Sequence, residues 1–305
     1  MASKKESIRT ELNRYAKSIE LGKFGDVVQP PWILMVPITA LYFLMFFGSM
    51  LAIVVLSLQP ENAINLSTWT LENFVTVLTS ETYLPILSST IRISLVTTVL
   101  TLVFSYPVAY ALARKIERFH LLMLLALIVP LFTGINVRVF GWFLFLTEEG
   151  IVTSLLGMVG IQQVPQLMFQ RWTIILGTSY VYMPFMLFPI YLSILTIPDS
   201  LFDAANDLGA SKYRVFRSIV LPLSFPGVMI GVLFVFILSL GASVEAELLG
   251  GGQVIVMASD IEYSFGYLQD WTAGSAKAVG LLLVSIVAGI IIIRTIDFET
   301  IAGRE

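Results

Sequence analysis

Six residues carry most of the chemistry open to this chain. Arg138, Glu245 and Glu247 are ionisable groups set in long apolar runs, and Trp142, Tyr180 and Tyr182 are aromatic residues in the same runs. An ionisable group buried in an apolar run faces the interior of a helix bundle or a water-filled cavity, because lipid solvates it poorly. One reading makes Glu245 or Glu247 a carboxylate in an outward-opening path, where it would attract an ammonium solute, with Trp142, Tyr180 and Tyr182 offering cation–π faces. The other pairs Arg138 with an acidic neighbour such as Glu148, leaves both glutamates in the interface, and puts the aromatics where Trp and Tyr gather at membrane boundaries. By their place in the apolar runs, Arg92, Arg138 and both glutamates fall toward the outer ends of spans.

Catalytic chemistry is scarcer. The chain has one histidine, His120, and no cysteine, so it offers no thiolate, no His-x-x-x-His zinc pair and no Ser-His-Asp arrangement. The nearest approach to a phosphate-cradling loop, Gly209-Ala210-Ser211-Lys212, lacks the upstream glycine and the preceding strand. No catalytic residue, metal ligand or cofactor is assigned. Uphill transport would draw its energy from an ion gradient or from a partner.

The elements that position these residues follow from composition. Of 305 residues only 13% are charged and 57% are hydrophobic, where soluble domains carry about 25% charged residues. Six apolar runs, at about 33–58, 88–113, 121–146, 173–196, 226–249 and 277–296, are long enough to cross a bilayer. They predict an all-α, polytopic membrane protein, a six-helix bundle, because in lipid only a helix or a closed barrel satisfies the backbone and these runs lack barrel alternation. The first run has no small-x-small cleavage site after it and reads as an uncleaved anchor. Fourteen of the 18 Lys and Arg fall in 1–32, 114–120, 197–225 or the C-terminal end. That bias places both termini, the N-terminal segment 1–32 and the tail 297–305, in the cytoplasm. A net charge of −3 argues against nucleic acid as a partner. Pro107, Pro130, Pro184 and Pro189 predict kinked spans, and Gly227-x-x-x-Gly231 a close packing face.

The cytoplasmic loop 197–225 is more ordered than a connector needs to be. Its core reads Ser200-Leu201-Phe202-Asp203-Ala204-Ala205-Asn206-Asp207-Leu208-Gly209-Ala210-Ser211. Ser200 and Asp203 have capping-box spacing, Gly209 suits a left-handed helix end, and a short helix is expected over about 201–208. Ser211 is placed to cap a second helix that Leu221-Pro222 stops. Leu201, Phe202, Ala205 and Leu208 group on one side of the first helix, which lies either on its own bundle or in a groove on another protein.

The run Asp203-Ala204-Ala205-x-x-x-Gly209, followed by Phe216, Ile219 and Leu221-Pro222, resembles the EAA loop of permease subunits of binding-protein-dependent ABC importers, with Asp203 where the family has Glu. Val137-Arg138-Val139-Phe140-Gly141-Trp142, Tyr182-Met183-Pro184-Phe185-Met186-Leu187-Phe188-Pro189, Ser239-Leu240-Gly241 leading to Leu248-Leu249-Gly250-Gly251, and Trp271 resemble the spermidine/putrescine-type subfamily. The resemblance covers roughly residues 30–296. After Gly241 the chain departs from it, with Ala242-Ser243-Val244-Glu245-Ala246-Glu247 where an acidic residue, an aromatic one and Val-Thr-Pro are expected. The resemblance implies a bacterial plasma (inner) membrane permease with no catalysis of its own. Residues 200–211 would insert into a cytoplasmic ABC ATPase dimer. The other partners would be a second permease subunit and an extracytoplasmic solute-binding protein docking on the 59–87, 147–172 and 250–276 loops. The cargo would be a polyamine or related small amine, with opines, aminoethylphosphonate or other small solutes as alternatives. A stand-alone secondary transporter or channel should show an internal repeat and buried acidic residues near the midplane, and neither is legible in the sequence. A membrane-embedded enzyme is disfavoured by the shortage of His and Cys.

Overall fold

Each long apolar run forms helix, since the backbone groups of a segment surrounded by hydrocarbon have only their own helix to bond. The computed structural model describes residues 31–60, 68–115, 120–159 and 166–295. Residues 1–30 of the N-terminal segment and the tail 297–305 lie outside them. Six helical stretches are long and apolar enough to cross a membrane, and no strand occurs among the described residues.

The chain divides into two units, Met1–Ile53 and Val54–Glu305. The first is represented by most of α1 (Pro31–Ser57), 27 residues with Pro37 inside, about 40 Å long at ~1.5 Å per residue. The second opens with α2 (Glu72–Thr79), whose Asn73 Nδ2 donates to the carbonyls of Ser57 and Gln59 at 3.0 and 2.6 Å. Then follow α3 (Tyr83–Arg114), α4 (His120–Ile128) with a 3₁₀ turn at Val129–Phe132, α5 (Ile135–Leu146), α6 (Ile151–Met158) and α7 (Arg171–Leu195). The remainder comprises α8 (Asp199–Asp207), α9 (Lys212–Val215), a π turn at Phe216–Val220, α10 (Leu221–Leu240), α11 (Ser243–Gly250), α12 (Met257–Gly266) and α13 (Trp271–Thr295).

Helices α3, α7 and α10 pack on one another and hold the core. On α7, Ile174, Met186, Leu187, Ile190 and Ile194 are sealed from solvent. The buried stripe of α3 is polar: Thr90, Ser94, Thr97, Thr98, Thr101 and Ser105 recur every three or four residues. Thr90, Thr98 and Thr101 donate to the carbonyls of Ile86, Ser94 and Thr97 at 2.7–2.8 Å, so these hydroxyls are satisfied by their own helix. Against α7, α10 presents Gly227 and Gly231; a Cβ on the first would strike the Pro189 carbonyl and Ser193, and one on the second would lie 2.8 Å from Met186 Sδ. The glycine pair is thus what brings these two backbones together.

Two spans differ from the sequence expectation. The 121–146 run is not one helix: α4 ends at Ile128, Pro130 enters a 3₁₀ turn whose carbonyl takes the Thr133 N–H, and extended Gly134 restarts the chain as α5. The stretch able to cross is Ile135–Met158, bent at a turn before Gly150. At that turn a Cβ on Gly150 would meet three carbonyls at 2.7–2.8 Å. The 226–249 run likewise ends early, at Leu240, and α11 is a separate helix lying on α7 and α5. At the other end of α10, Leu221-Pro222 stops nothing. The Leu221 N–H reaches back to Phe216 O, and this wider π turn accommodates a proline ring that has no N–H to lose.

Gly227→Leu is expected to destabilise the purified protein by about 1–3 kcal/mol through overpacking. Gly157→Leu, where a Cβ meets nothing within 4 Å, should leave the thermal midpoint in detergent unchanged.

Candidate functional site

At one end of the bundle, α8 and α9 meet at a glycine. α8 starts at Asp199, two residues before the expected position, because extended Pro198 sets the first turn. Ser200 therefore lies inside the helix, and the capping box it was expected to form with Asp203 is absent, with no side-chain cap at this end. Gly209 has φ 70°, and around it the Leu208 and Ala210 N–H groups close on Ala204 O and Ala205 O, a left-handed helix end. Ser211 Oγ accepts the Arg214 N–H at 3.4 Å and starts α9.

The apolar stripe of α8 splits. Phe202 and Ala205 are half-buried, whereas Leu201 is 40% exposed and Leu208 87%. Asp203, Ala204 and Asp207 are also exposed, and Ala210 is half-buried. Neither expectation for this helix holds alone: part of the stripe faces the bundle, and two leucines remain uncovered. Sequence reasoning missed Arg114, assigned there only as a flanking charge, which bonds Asp199 Oδ1 at 2.5 Å.

The solute-path candidates separate into three places. Arg138, Trp142 and Tyr180 line a groove of about 280 Å³ with Gly141 and Phe145, and the Trp142 and Tyr180 rings stand edge to face at 5.7 Å. Glu245, 1% exposed, and Tyr182, 8% exposed, lie within interaction range of each other inside the bundle. Arg138 donates to Val181 O at 3.2 Å and lies within electrostatic range of both. Among the described residues it forms no ion pair with Glu148 or any other carboxylate. Glu247 is exposed and apart from these, in a groove of about 550 Å³ lined by Asn136, Val137, Phe140, Val244 and Leu248.

The fold also corrects the depth of Glu245. Because α11 lies alongside α7, Glu245 sits at the level of Tyr182, the twelfth of the 25 residues of α7, and not near an outer end. Alternation of buried and exposed glutamates two apart was the available signal. Arg92, by contrast, is an exposed side chain on α3. Among the described residues no three carboxylate or imidazole groups converge as metal ligands would.

Over residues 19–297 the sequence matches the family described as binding-protein-dependent transport system inner membrane component. Among similar proteins, the spermidine/putrescine transport system permease protein PotB of Salmonella typhimurium strain LT2 is 34% identical over 217 residues, covering 71% of this chain and 75% of that protein. PotB of Escherichia coli strain K12 is 33% identical, covering 71% and 78%. The inner membrane ABC transporter permease protein YdcU of the same strain is 26% identical, covering 68% and 71%. A chain of a bacterial alginate ABC transporter, solved with an alginate pentasaccharide-bound periplasmic protein, superposes with a TM-score of 0.69 at 18% identity, over 86% of this chain and 92% of that one. A chain of the MetNI methionine ABC transporter in an inward-facing conformation gives 0.51 at 20%, over 71% and 97%. At these identities the solved structures speak for the fold.

Tyr182→Phe removes the hydroxyl beside Glu245 and leaves a buried carboxyl group with one polar neighbour fewer. The expected loss is about 1–3 kcal/mol, read as a lower thermal midpoint in detergent; an unchanged midpoint would show that the pair contributes nothing to stability.

Proposed function

Because the chain belongs to the family of binding-protein-dependent transport system inner membrane components, we propose that it forms half of the translocation path of an ABC importer for a polyamine or related small amine. A second permease subunit supplies the other half, and a cytoplasmic ABC ATPase dimer supplies the energy. An extracytoplasmic solute-binding protein delivers the cargo, docking on the 59–87, 147–172 and 250–276 loops. Both termini and the 197–225 loop face the cytoplasm, in keeping with the bias of Lys and Arg.

The observation that carries the reading is the helix–glycine–helix loop. Two short helices fixed at a left-handed Gly209 present Leu201 and Leu208 to solvent beside Asp203 and Asp207. An apolar face on a short amphipathic helix fits a groove on a partner protein. Residues 200–211 dock on the ATPase in this way, and its closure drives the bundle between outward and inward access.

For the cargo, the two grooves have opposite electrostatics. Arg138 places a fixed positive charge in the smaller one, which opposes an ammonium group even with Trp142 and Tyr180 beside it. The larger one pairs the Glu247 carboxylate with the amide of Asn136 and the ring of Phe140, the combination an amine with an apolar chain requires. Relatives named as spermidine/putrescine permeases agree with that chemistry. Glu247 is therefore the carboxylate that meets solute, and Glu245 holds the interior together with Tyr182.

Affinity purification of a tagged copy from its native membrane should bring down a stoichiometric ATPase. A chain that purifies alone, and alone moves solute or ions in liposomes, would be a secondary transporter instead. Gly209→Pro, which cannot adopt φ 70°, should abolish uptake and loosen the ATPase; full uptake by that variant would reduce the loop to a connector. Glu247→Gln should lower polyamine uptake about tenfold, the equivalent of ~1.4 kcal/mol, with assembly intact. Unchanged uptake by the Glu245→Gln, Glu247→Gln double variant removes the cationic-cargo reading.

A further inference from the structure

Three residues on one face of α3, four apart, gather the whole loop between α7 and α10: Tyr106, Tyr110 and Arg114. They occupy about 12 Å of helix at ~1.5 Å per residue. Arg114 is the convergence point. One guanidinium nitrogen bonds Asp199 Oδ1 at the start of α8, and the other donates to the carbonyls of Ile194, at 3.0 Å, and Ile197, at the end of α7. Its plane lies 4.4 Å over the ring of Phe202. One side chain thus ties the last turn of α7, the first turn of α8 and the end of α3. Arginine suits this task because its planar fork serves several acceptors while its face stacks on an aromatic ring.

The other two residues hold the far arm. Phe216, the first residue of the π turn, packs edge to face against both Tyr106 and Tyr110 at 5.7 Å. Tyr106 Oη lies 2.8 Å from Ser224 Oγ, in the first turn of α10. The π turn sits where α9 becomes α10, and a widened turn of this kind is a place where a helix can change register.

We propose that the Tyr106–Tyr110–Arg114 face of α3 is the surface through which displacement of the 199–220 segment passes into the bundle, with Arg114 as the positioning residue that makes α8 and the end of α7 move with α3. The inference rests on the reading that residues 200–211 dock on an ATPase. Asp199 is a minor member, since its carboxylate is 87% exposed and water competes for the pair. The bonds to the two carbonyls are part-buried and, with the Phe202 ring, carry the connection.

The test uses the full assembly, with wild-type, Arg114→Gln, Arg114→Lys and Phe216→Leu chains reconstituted in proteoliposomes. ATP hydrolysis and solute uptake are measured on the same preparation, with the amount of co-purified ATPase recorded. The expected result is normal assembly and sustained hydrolysis, with uptake per ATP falling about tenfold or more in Arg114→Gln, less in Arg114→Lys and severalfold in Phe216→Leu. Uptake per ATP unchanged in both Arg114→Gln and Phe216→Leu overturns the proposal. So does a loss of hydrolysis and uptake in proportion to lost ATPase, which would make the face structural only. If the wild-type chain itself retains no ATPase, it is the docking reading that fails.

Discussion

Hydrocarbon gives a backbone N–H or C=O no partner, and every other feature of this molecule is arranged around that fact. The spans are helices for this reason, and in the polar stripe of α3 Thr90, Thr98 and Thr101 return their hydroxyl hydrogens to carbonyls one turn back. Departures from regular helix occur where the chain can meet the same demand another way. The π turn before α10 has the Leu221 N–H bonded five residues back to Phe216 O, and Pro222, which has no N–H to bond, follows it. The bend at Thr133–Gly134 and the turn before Gly150 fall between helices, where Thr133 and Gly150 bond Pro130 and Thr147.

With helices obligatory, packing is decided by side-chain size. α10 approaches α7 closely because Gly227 and Gly231 leave room for the backbone at Pro189 and for Met186. α11 lies against α7 through Leu249, which fills the space over Gly177, and through Gly250, set against Ile174. That placement lowers Glu245 to the level of Tyr182 and leaves Glu247, two residues on, at the surface. Neighbouring carboxylates on one short helix thus receive opposite surroundings from a single packing contact.

The sequence made the helical class, the number of crossing stretches, the left-handed Gly209 and the Ser211 cap legible, because each depends on local composition or on a residue's own backbone preference. It did not make the break after Ile128 legible, since apolar residues continue on both sides of Pro130 and hydropathy does not register direction. The end of α10 at Gly241 was hidden for the same reason. Ser200 misled because capping preference is local, whereas Pro198 decided where α8 begins. Arg114 counted in the sequence as one of three positive charges after a span; only the fold brings Asp199, Phe202 and the Ile194 and Ile197 carbonyls to it. Its spacing from Tyr106 and Tyr110 was visible, but periodicity alone gives no partner to a face.

The hydroxyl stripe of α3 has a mechanical consequence. Along the middle of this contact Ser179 Oγ on α7 donates to Thr97 O on α3, long at 3.5 Å. Thr90, Thr98 and Thr101 spend their hydrogens on their own helix, and small side chains of that kind grip a neighbour weakly along the axis while keeping it close. A helix seated on such a surface can glide lengthwise without a large barrier from broken bonds. Along its middle the contact holds the two spans at fixed separation and resists lengthwise shift weakly, so the grip is concentrated at the end where Arg114 ties α3 to the Ile194 carbonyl, as in a bearing pinned at one end.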